Sequence, residues 1–562
     1  MRRVIGIILG GSLLAGIPAP TFAYFGEDAA FATRTAGAAS PLRQSELGTV
    51  ETAIRAALAG LEGANANLEY DIDGIRTFYA ERGFAPLWIE RGRFSADARA
   101  VIARLGEAAD EGLDPAAYAT PPADFGAVPG LTADMIAATE LEMSIAVAAY
   151  VREAYAGRLD PRALDPNLDV VRHFPDIAAA LADIGAADDA AATLASYNPT
   201  HPVYAALRAA LVDARGGPAM ERIVIPAGPT IRPGDSDTRV ALLRTRLDIT
   251  TVSDAPGLYD ATLVQAVRTF QTQAGLTVDG IIGPNTLGAL NGPAVDPVAE
   301  IIANMERYRW LPRDLGDYYV QVNIPEYLVR IFDAGEEVYE TRVVVGQPAN
   351  ETPVFSDRME YFVVNPYWNV PPSIVANELL PQLRADPGYF VRGAFDVFYR
   401  GTLVDPYAIN WYAVTAGQVG IRQRPGPSNA LGQIKFMFPN SHNVYLHDTP
   451  SKSLFQRDAR AFSHGCVRVL NPMDFAEALL RHEEDVSRQS LEAMFGPAER
   501  QVSLNHPINV HLTYFTAVFD DAGNLQFKPD IYGHSARVRE ALGLGDDAAV
   551  VAQASGAGDV GP

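Results

Sequence analysis

Near residue 317 the hydrophobic pattern of this chain changes period, and that change excludes a single repeating architecture. From about residue 47 to 215 apolar residues recur at helical spacing. Ser95 can cap a helix that ends near Gly106. Thr132 can cap a longer one running to Gly157, with Leu141, Ile145, Ala148 and Val151 near one face. Asp160-Pro161 then breaks the pattern. From 317 the segment YYVQVNIPEYLVRIFDAGEEVYETRVVVG alternates apolar and polar residues, with a turn at Asp333-Ala334-Gly335. At 562 residues the chain is also too long for one core. The expected fold is therefore multidomain α+β, with a helical scaffold at 47–227 and a β-rich domain at 300–542.

A small module separates them at 228–292. Val240, Leu243 and Leu247 lie on one helical face, and Leu263, Val267, Phe270 and Ala274 on a second. A glycine turn follows, then Pro284 in the first turn of a third helix. Inside the β-rich part, Ile434, Phe436 and Phe438 alternate, as do Val444 and Leu446. The stretch 377–432 is rich in Pro, Gly and aromatics and lacks a clear period. A long irregular insertion of this kind is expected to act as a lid or cap. Asn471 is expected to cap a helix opened by Pro472 and running through Leu480.

The N-terminus reads as an export signal. Arg2 and Arg3 precede the apolar run Val4 to Ile17, and Thr21-Phe22-Ala23 offers small residues for cleavage after 23. The run is short for a span, which needs about 20 residues; an uncleaved anchor is the alternative, and no stable span is expected after cleavage. Residues 24–46 read as a flexible lead-in and 543–562 as a disordered tail. The N-terminal segment implies export. The net charge of −23 is spread along the chain without a basic patch, so no nucleic-acid partner is expected. Export also sharpens the meaning of the cysteine count. The one cysteine, Cys466, cannot form an internal disulfide, so it is either buried and inert or has a task.

Its surroundings, YLHDTPSKSLFQRDARAFSHGCVRV at 445–469, favour a task. A thiol becomes a strong nucleophile as the thiolate, and a nearby imidazole can take its proton. His447 ends an alternating strand, where a side chain is held rigidly. His464 lies two residues from Cys466, so on extended backbone both side chains share a face. By geometry either histidine can be the base. Gly465 permits a tight turn that brings consecutive N–H groups near the sulfur as oxyanion donors. Tyr445 shares the strand face of His447.

The histidine, the intervening loop, Ser463-His464-Gly465-Cys466 and then Arg468 together resemble the L,D-transpeptidase catalytic domain of the YkuD type. YDATLVQAVRTFQTQAGLTVDGIIGPNTLGAL resembles a three-helix peptidoglycan-binding module. NMERYRWLP, NPYWNVPPSI and FYAERGFAPLW resemble the large Gram-negative branch, which joins a helical scaffold, such a module and a catalytic domain with a capping subdomain. The resemblance implies Cys466 as nucleophile and His447 as general acid/base. It implies that Asp448 orients the imidazole, chiefly through its backbone carbonyl, and that Gly465 and Cys466 supply oxyanion N–H groups. Ser463, His464, Arg468, Tyr445, Trp368 and Tyr367 are expected to shape the substrate site. The implied reaction joins third-position residues of peptidoglycan stem peptides through a thioester with loss of D-alanine, and carbapenems are expected to acylate the thiol. The partners are then a donor tetrapeptide and an acceptor amine, with no metal and no cofactor. L,D-carboxypeptidase action, or a silent wall-binding scaffold, are the alternatives.

Overall fold

The computed structural model describes residues 44–125, 131–216, 223–249, 255–274, 276–291 and 296–545. The expected signal segment 1–23, the lead-in up to residue 43 and the tail beyond residue 545 lie outside the described residues. The first helix, Gln44–Ala59, starts inside the expected lead-in. The chain forms two compact units. One comprises residues up to 160 with 171–216 and 297–313; the other comprises 161–170, 217–296 and 314 onward.

The first unit is helical, and its helices start where the caps predict. Ser95 Oγ accepts from Ala98 N–H at 3.0 Å, and Thr132 Oγ1 from Met135 N–H at 3.2 Å. The long helix Ala133–Ala156 ends at Gly157, which sits at φ 80°, a conformation glycine adopts without strain. Leu141, Ala148 and Val151 are buried in its core, and Ile145 packs against that core half-buried. Helix Pro297–Trp310, which the sequence reading assigns to the β-rich domain, packs in this unit instead. Arg309 donates to the Tyr204 hydroxyl at 2.7 Å, and Glu306 accepts from Leu159 N–H at 2.9 Å. In return, 161–170 belongs to the second unit, where Leu168 forms a parallel bridge with Val354.

The second unit holds the three-helix module, with helices Val240–Arg246, Ala261–Gln273 and Pro284–Asn291 around Val240, Leu243, Leu263, Val267 and Leu290. Asp260 caps the middle helix by accepting from Leu263 N–H at 3.0 Å. The module also grips one carboxylate of the β-rich domain. Asp458 accepts from the Thr277 N–H at 2.9 Å and hydroxyl at 3.1 Å, and from Asn285 Nδ2 at 3.2 Å.

The β-rich domain is built on a nine-stranded sheet. Its strands are β1 Tyr318–Asn323, β2 Leu328–Asp333, β3 Glu336–Gly346, β4 Phe355–Val364, β5 Ile434–Met437, β6 Leu446–His447, β7 Ala461–Ser463, β8 Val467–Val469 and β9 Arg500–Thr513. They run in the order β7-β3-β8-β6-β5-β4-β9-β1-β2, and β2 also pairs with β3, which closes the sheet on itself. Alternation buries Val320, Val322, Val329, Ile331, Phe362, Ile434, Phe436, Leu446, Val510 and Leu512. Asn471 stands at the N-terminus of helix Pro472–Leu479, but its side chain makes no capping bond, so Pro472 is the start signal that operates.

The expected irregular insertion is a folded subdomain. Strands Trp368–Asn369, Val419–Gln423, Phe395–Tyr399 and Thr402–Val404 form a four-stranded sheet. Short helices at 372–392, one turn of them π-helical at Val375–Leu379, pack beside it. Leu383, Phe390, Val397, Trp411 and Ile421 form its own core. Strands of two to five residues are too short to print a period on the sequence.

Candidate active site

β6 is the strand that assembles the site. It pairs antiparallel with β5, setting Lys435 opposite His447, and parallel with β8, setting Arg468 beside His447. Paired residues of adjacent strands share a sheet face, so Lys435, His447 and Arg468 form one row across three strands. Parallel neighbours need a crossover, and 448–466 supplies it. Cys466 stands just before β8, fixed by the bond from Val467 N–H to the Tyr445 carbonyl at 3.1 Å. The thiol donates to the Asn443 carbonyl at 3.9 Å, and Tyr445 neighbours the sulfur, favouring its ionised form. Its ring also meets that of His447 edge-on at 5.7 Å.

His447 is 4% exposed, and its Nδ1 hydrogen-bonds to the Asp448 backbone carbonyl. A carbonyl only accepts, so the proton sits on Nδ1 and the Nε2 lone pair is left for base chemistry. The Asp448 carboxylate has other work. It accepts from Gln433 N–H at 2.9 Å, Thr449 N–H at 2.7 Å and Lys452 Nζ at 2.7 Å. Gly432 makes room for it, since a Cβ there would lie 2.2 Å from the Asp448 carboxylate.

The charges around the pair set its resting state. Burial, then the Arg468 cation, pushes the His447 imidazole down to about 3. Burial pushes the Cys466 thiol up, against the opposing pull of Tyr445 and of the Arg468 and Lys435 charges. Both partners are therefore neutral near pH 7. Burial also lowers Lys435 and Arg468, and the nearby sulfur counteracts this for each.

The turn bearing the nucleophile is braced from within. The Ser463 hydroxyl, expected at the substrate, donates to the Cys466 carbonyl at 2.5 Å and accepts from Gly465 N–H at 3.2 Å. Gly465 N–H, expected as an oxyanion donor, is thus engaged inside the turn. Among the described residues, the Cys466 N–H has no acceptor, which leaves it as the donor of that pair. Gly465 itself has φ 109°, which a side chain would strain. His464 points elsewhere than the sulfur's partners: its Nε2 lies 2.6 Å from Glu378 Oε1 of the capping subdomain. Trp368 packs against the capping core near Phe395, and the Arg422 guanidinium lies 4.5 Å over the Tyr367 ring. A cavity of about 330 Å³ lined by Asn350, Glu351, His442, Val444, His464 and Gly465 adjoins the turn.

Three contributors carry no motif. Lys435 sits in GQIKFMFP as a polar residue of an alternating strand, and only its register reveals it. Glu378 lies in a stretch without a period. Thr352 lies in a loop whose partner is more than a hundred residues away. Asp165, Glu351 and His534 are close enough to hold a metal ion, but Arg537 already bonds Asp165 at 2.8 Å and His534 at 3.0 Å.

Comparison with known families bears on this geometry. Residues 317–482 match the L,D-transpeptidase catalytic domain, 236–290 a "Putative peptidoglycan binding domain" and 73–211 a scaffold domain. The chain thus carries a YkuD-type L,D-transpeptidase catalytic domain together with a peptidoglycan-binding domain and a helical scaffold. A Haemophilus influenzae protein named "Putative L,D-transpeptidase" is 34% identical over 243 residues, which is 42% of this chain and 48% of that protein. The match therefore spans about half the length of that relative. Among solved structures, an L,D-transpeptidase from Xylanimonas cellulosilytica is 16% identical over 51% of this chain and 99% of its own, at a TM-score of 0.15. An Ldtfm–avibactam carbamoyl enzyme is 13% identical over 35% of this chain and 49% of its own, also at 0.15.

Proposed function

We propose that this chain is a cysteine-dependent L,D-transpeptidase that cross-links third-position residues of peptidoglycan stem peptides at the cell wall, in the periplasm. The observation that carries the reading is the register that sets a buried His447 on β6 beside Arg468 on β8, with Cys466 in the turn that opens β8 and His447 Nδ1 committed to the Asp448 carbonyl. His447 Nε2 takes the thiol proton as Cys466 Sγ attacks the carbonyl of the third residue in a tetrapeptide stem. The Cys466 N–H stabilises the resulting oxyanion. Collapse expels the terminal D-alanine, whose amine takes the proton from His447, and leaves a thioester. An acceptor amine then attacks, gives its proton to His447, and the sulfur departs and recovers that proton. Thiol, imidazole and N–H donor complete this cycle. Arg468, flanking His447 and without an ion-pair carboxylate among the described residues, is suited to a substrate carboxylate.

Incubation with one purified tetrapeptide muropeptide tests the reading. Dimers lighter by one D-alanine are expected. Tripeptide monomers alone mean that water is the acceptor and the activity is that of an L,D-carboxypeptidase. No change in mass means a silent scaffold.

A further inference from the structure

Thr352 is fully buried in the loop after β3, and its hydroxyl does two things at once. It accepts from Gly346 N–H at 2.9 Å and donates to the Gly465 carbonyl at 2.7 Å. That carbonyl belongs to the same peptide unit as the Cys466 N–H. The unit is planar and trans, so its C=O and N–H point in opposite directions and cannot turn independently. The hydroxyl that holds the carbonyl therefore also aims the N–H.

The neighbouring peptide is fixed too, because the Cys466 carbonyl accepts from Ser463 Oγ and Val467 N–H is tied to Tyr445. The Gly465–Cys466 unit is otherwise free to rotate about a glycine. Thr352 is itself held from a different part of the chain. Its N–H donates to the Tyr532 hydroxyl at 3.3 Å, and that hydroxyl donates to the Gly346 carbonyl at 2.6 Å. Tyr532 N–H donates in turn to the Tyr514 hydroxyl at 2.8 Å. Tyr514 and Tyr532 lie beyond residue 482, where the catalytic family match ends.

We propose that Thr352 is a positioning residue of the acyl-transfer site: through the Gly465 carbonyl it aims the Cys466 N–H at the oxyanion, with Tyr532 bracing it. This rests on the transpeptidase reading, because only an acyl transfer develops an oxyanion. It acts on the intermediate and leaves the thiol's intrinsic reactivity alone.

The test compares two reactions of Cys466 in the same full-length protein. Acylation by a carbapenem passes through a tetrahedral oxyanion; alkylation by iodoacetamide displaces iodide and forms none. Both rates are read by intact mass. Thr352→Val is expected to slow acylation about 100-fold while alkylation stays within about twofold of the parent. Thr352→Ser, which keeps the hydroxyl, is expected to restore acylation to within about fivefold. Equal loss of both rates in Thr352→Val, with a lowered Tm, means general damage to the turn and overturns the proposal. Unchanged acylation overturns it as well, and so does failure of the serine to rescue. A parent protein that alkylates but takes no acyl group overturns the transpeptidase reading itself, and Thr352's role with it.

Discussion

The catalytic sheet and the capping subdomain each hold one histidine near the nucleophile, and they hold it differently. In the sheet, His447 is buried between β5 and β8, flanked by two cations and committed at Nδ1 to a backbone carbonyl. At the capping subdomain, His464 is 37% exposed and its Nε2 faces the half-exposed carboxylate of Glu378. Burial removes water and fixes one tautomer, which suits a base. An exposed contact of this kind fixes little and contributes about 0–1 kcal/mol. Sequence proximity to Cys466 favours His464, whereas the surroundings favour His447.

Substitutions can break this contrast, beginning with the thiol itself. Cys466→Ala is expected to reduce cross-linking and carbapenem adducts to background, while retention on purified wall sacculi persists through the separate module. His447→Ala is expected to slow acyl transfer by about 10²–10⁴-fold, and His464→Ala by less than about tenfold. Reversal of that order would make His464 the base. Tyr445→Phe removes a hydroxyl that favours the ionised sulfur and is expected to slow alkylation at pH 7 about tenfold, leaving the Tm nearly unchanged.

The pH dependence sharpens the same contrast. Because the thiol is raised and the imidazole lowered, alkylation of Cys466 should climb through pH 9 without a plateau at acid pH. A flat, fast rate from pH 5 to 8 would instead indicate a resting thiolate–imidazolium pair. For stability, a lowered histidine contributes fully above its unfolded pKa of about 6.5. That contribution is lost as pH falls toward about 3, so chemical denaturation of His447→Gln should show a shallower slope over that window than the parent. The smallest effect belongs to Glu378→Gln, expected to cost less than about 1 kcal/mol and to change acyl transfer less than threefold. A large loss there would mean that the capping contact is required for turnover.

Much of this architecture is legible in residues. Ser95 and Thr132 announce their helices through short-range capping, and the alternation of 318–346 fixes which side chains face inward. The nucleophilic turn is equally local: Ser463, Gly465 and Cys466 bond to one another. That locality also shows what a motif hides, since the Ser463 hydroxyl and Gly465 N–H bond within the turn. Lys435, Thr352 and Glu378 were not legible because they act through strand register, a distant loop and a subdomain of short strands. Helix Pro297–Trp310 groups with the helical unit for a related reason: its partners, Tyr204 and Leu159, lie far back in the chain.

The position of β9 in the sheet has a consequence for how the molecule is made. It is the last of the nine strands in the chain, yet it lies between β4 and β1, pairing antiparallel with one and parallel with the other. During synthesis β6 with His447 and the turn with Cys466 emerge first, and for a time the sheet has a gap where β9 belongs. Closure must wait for residue 513, a long-range pairing of the kind that folds slowly. The thiol thus emerges before the fold that confines it is complete, so the nascent chain passes through an interval in which its nucleophile is present but not yet aimed.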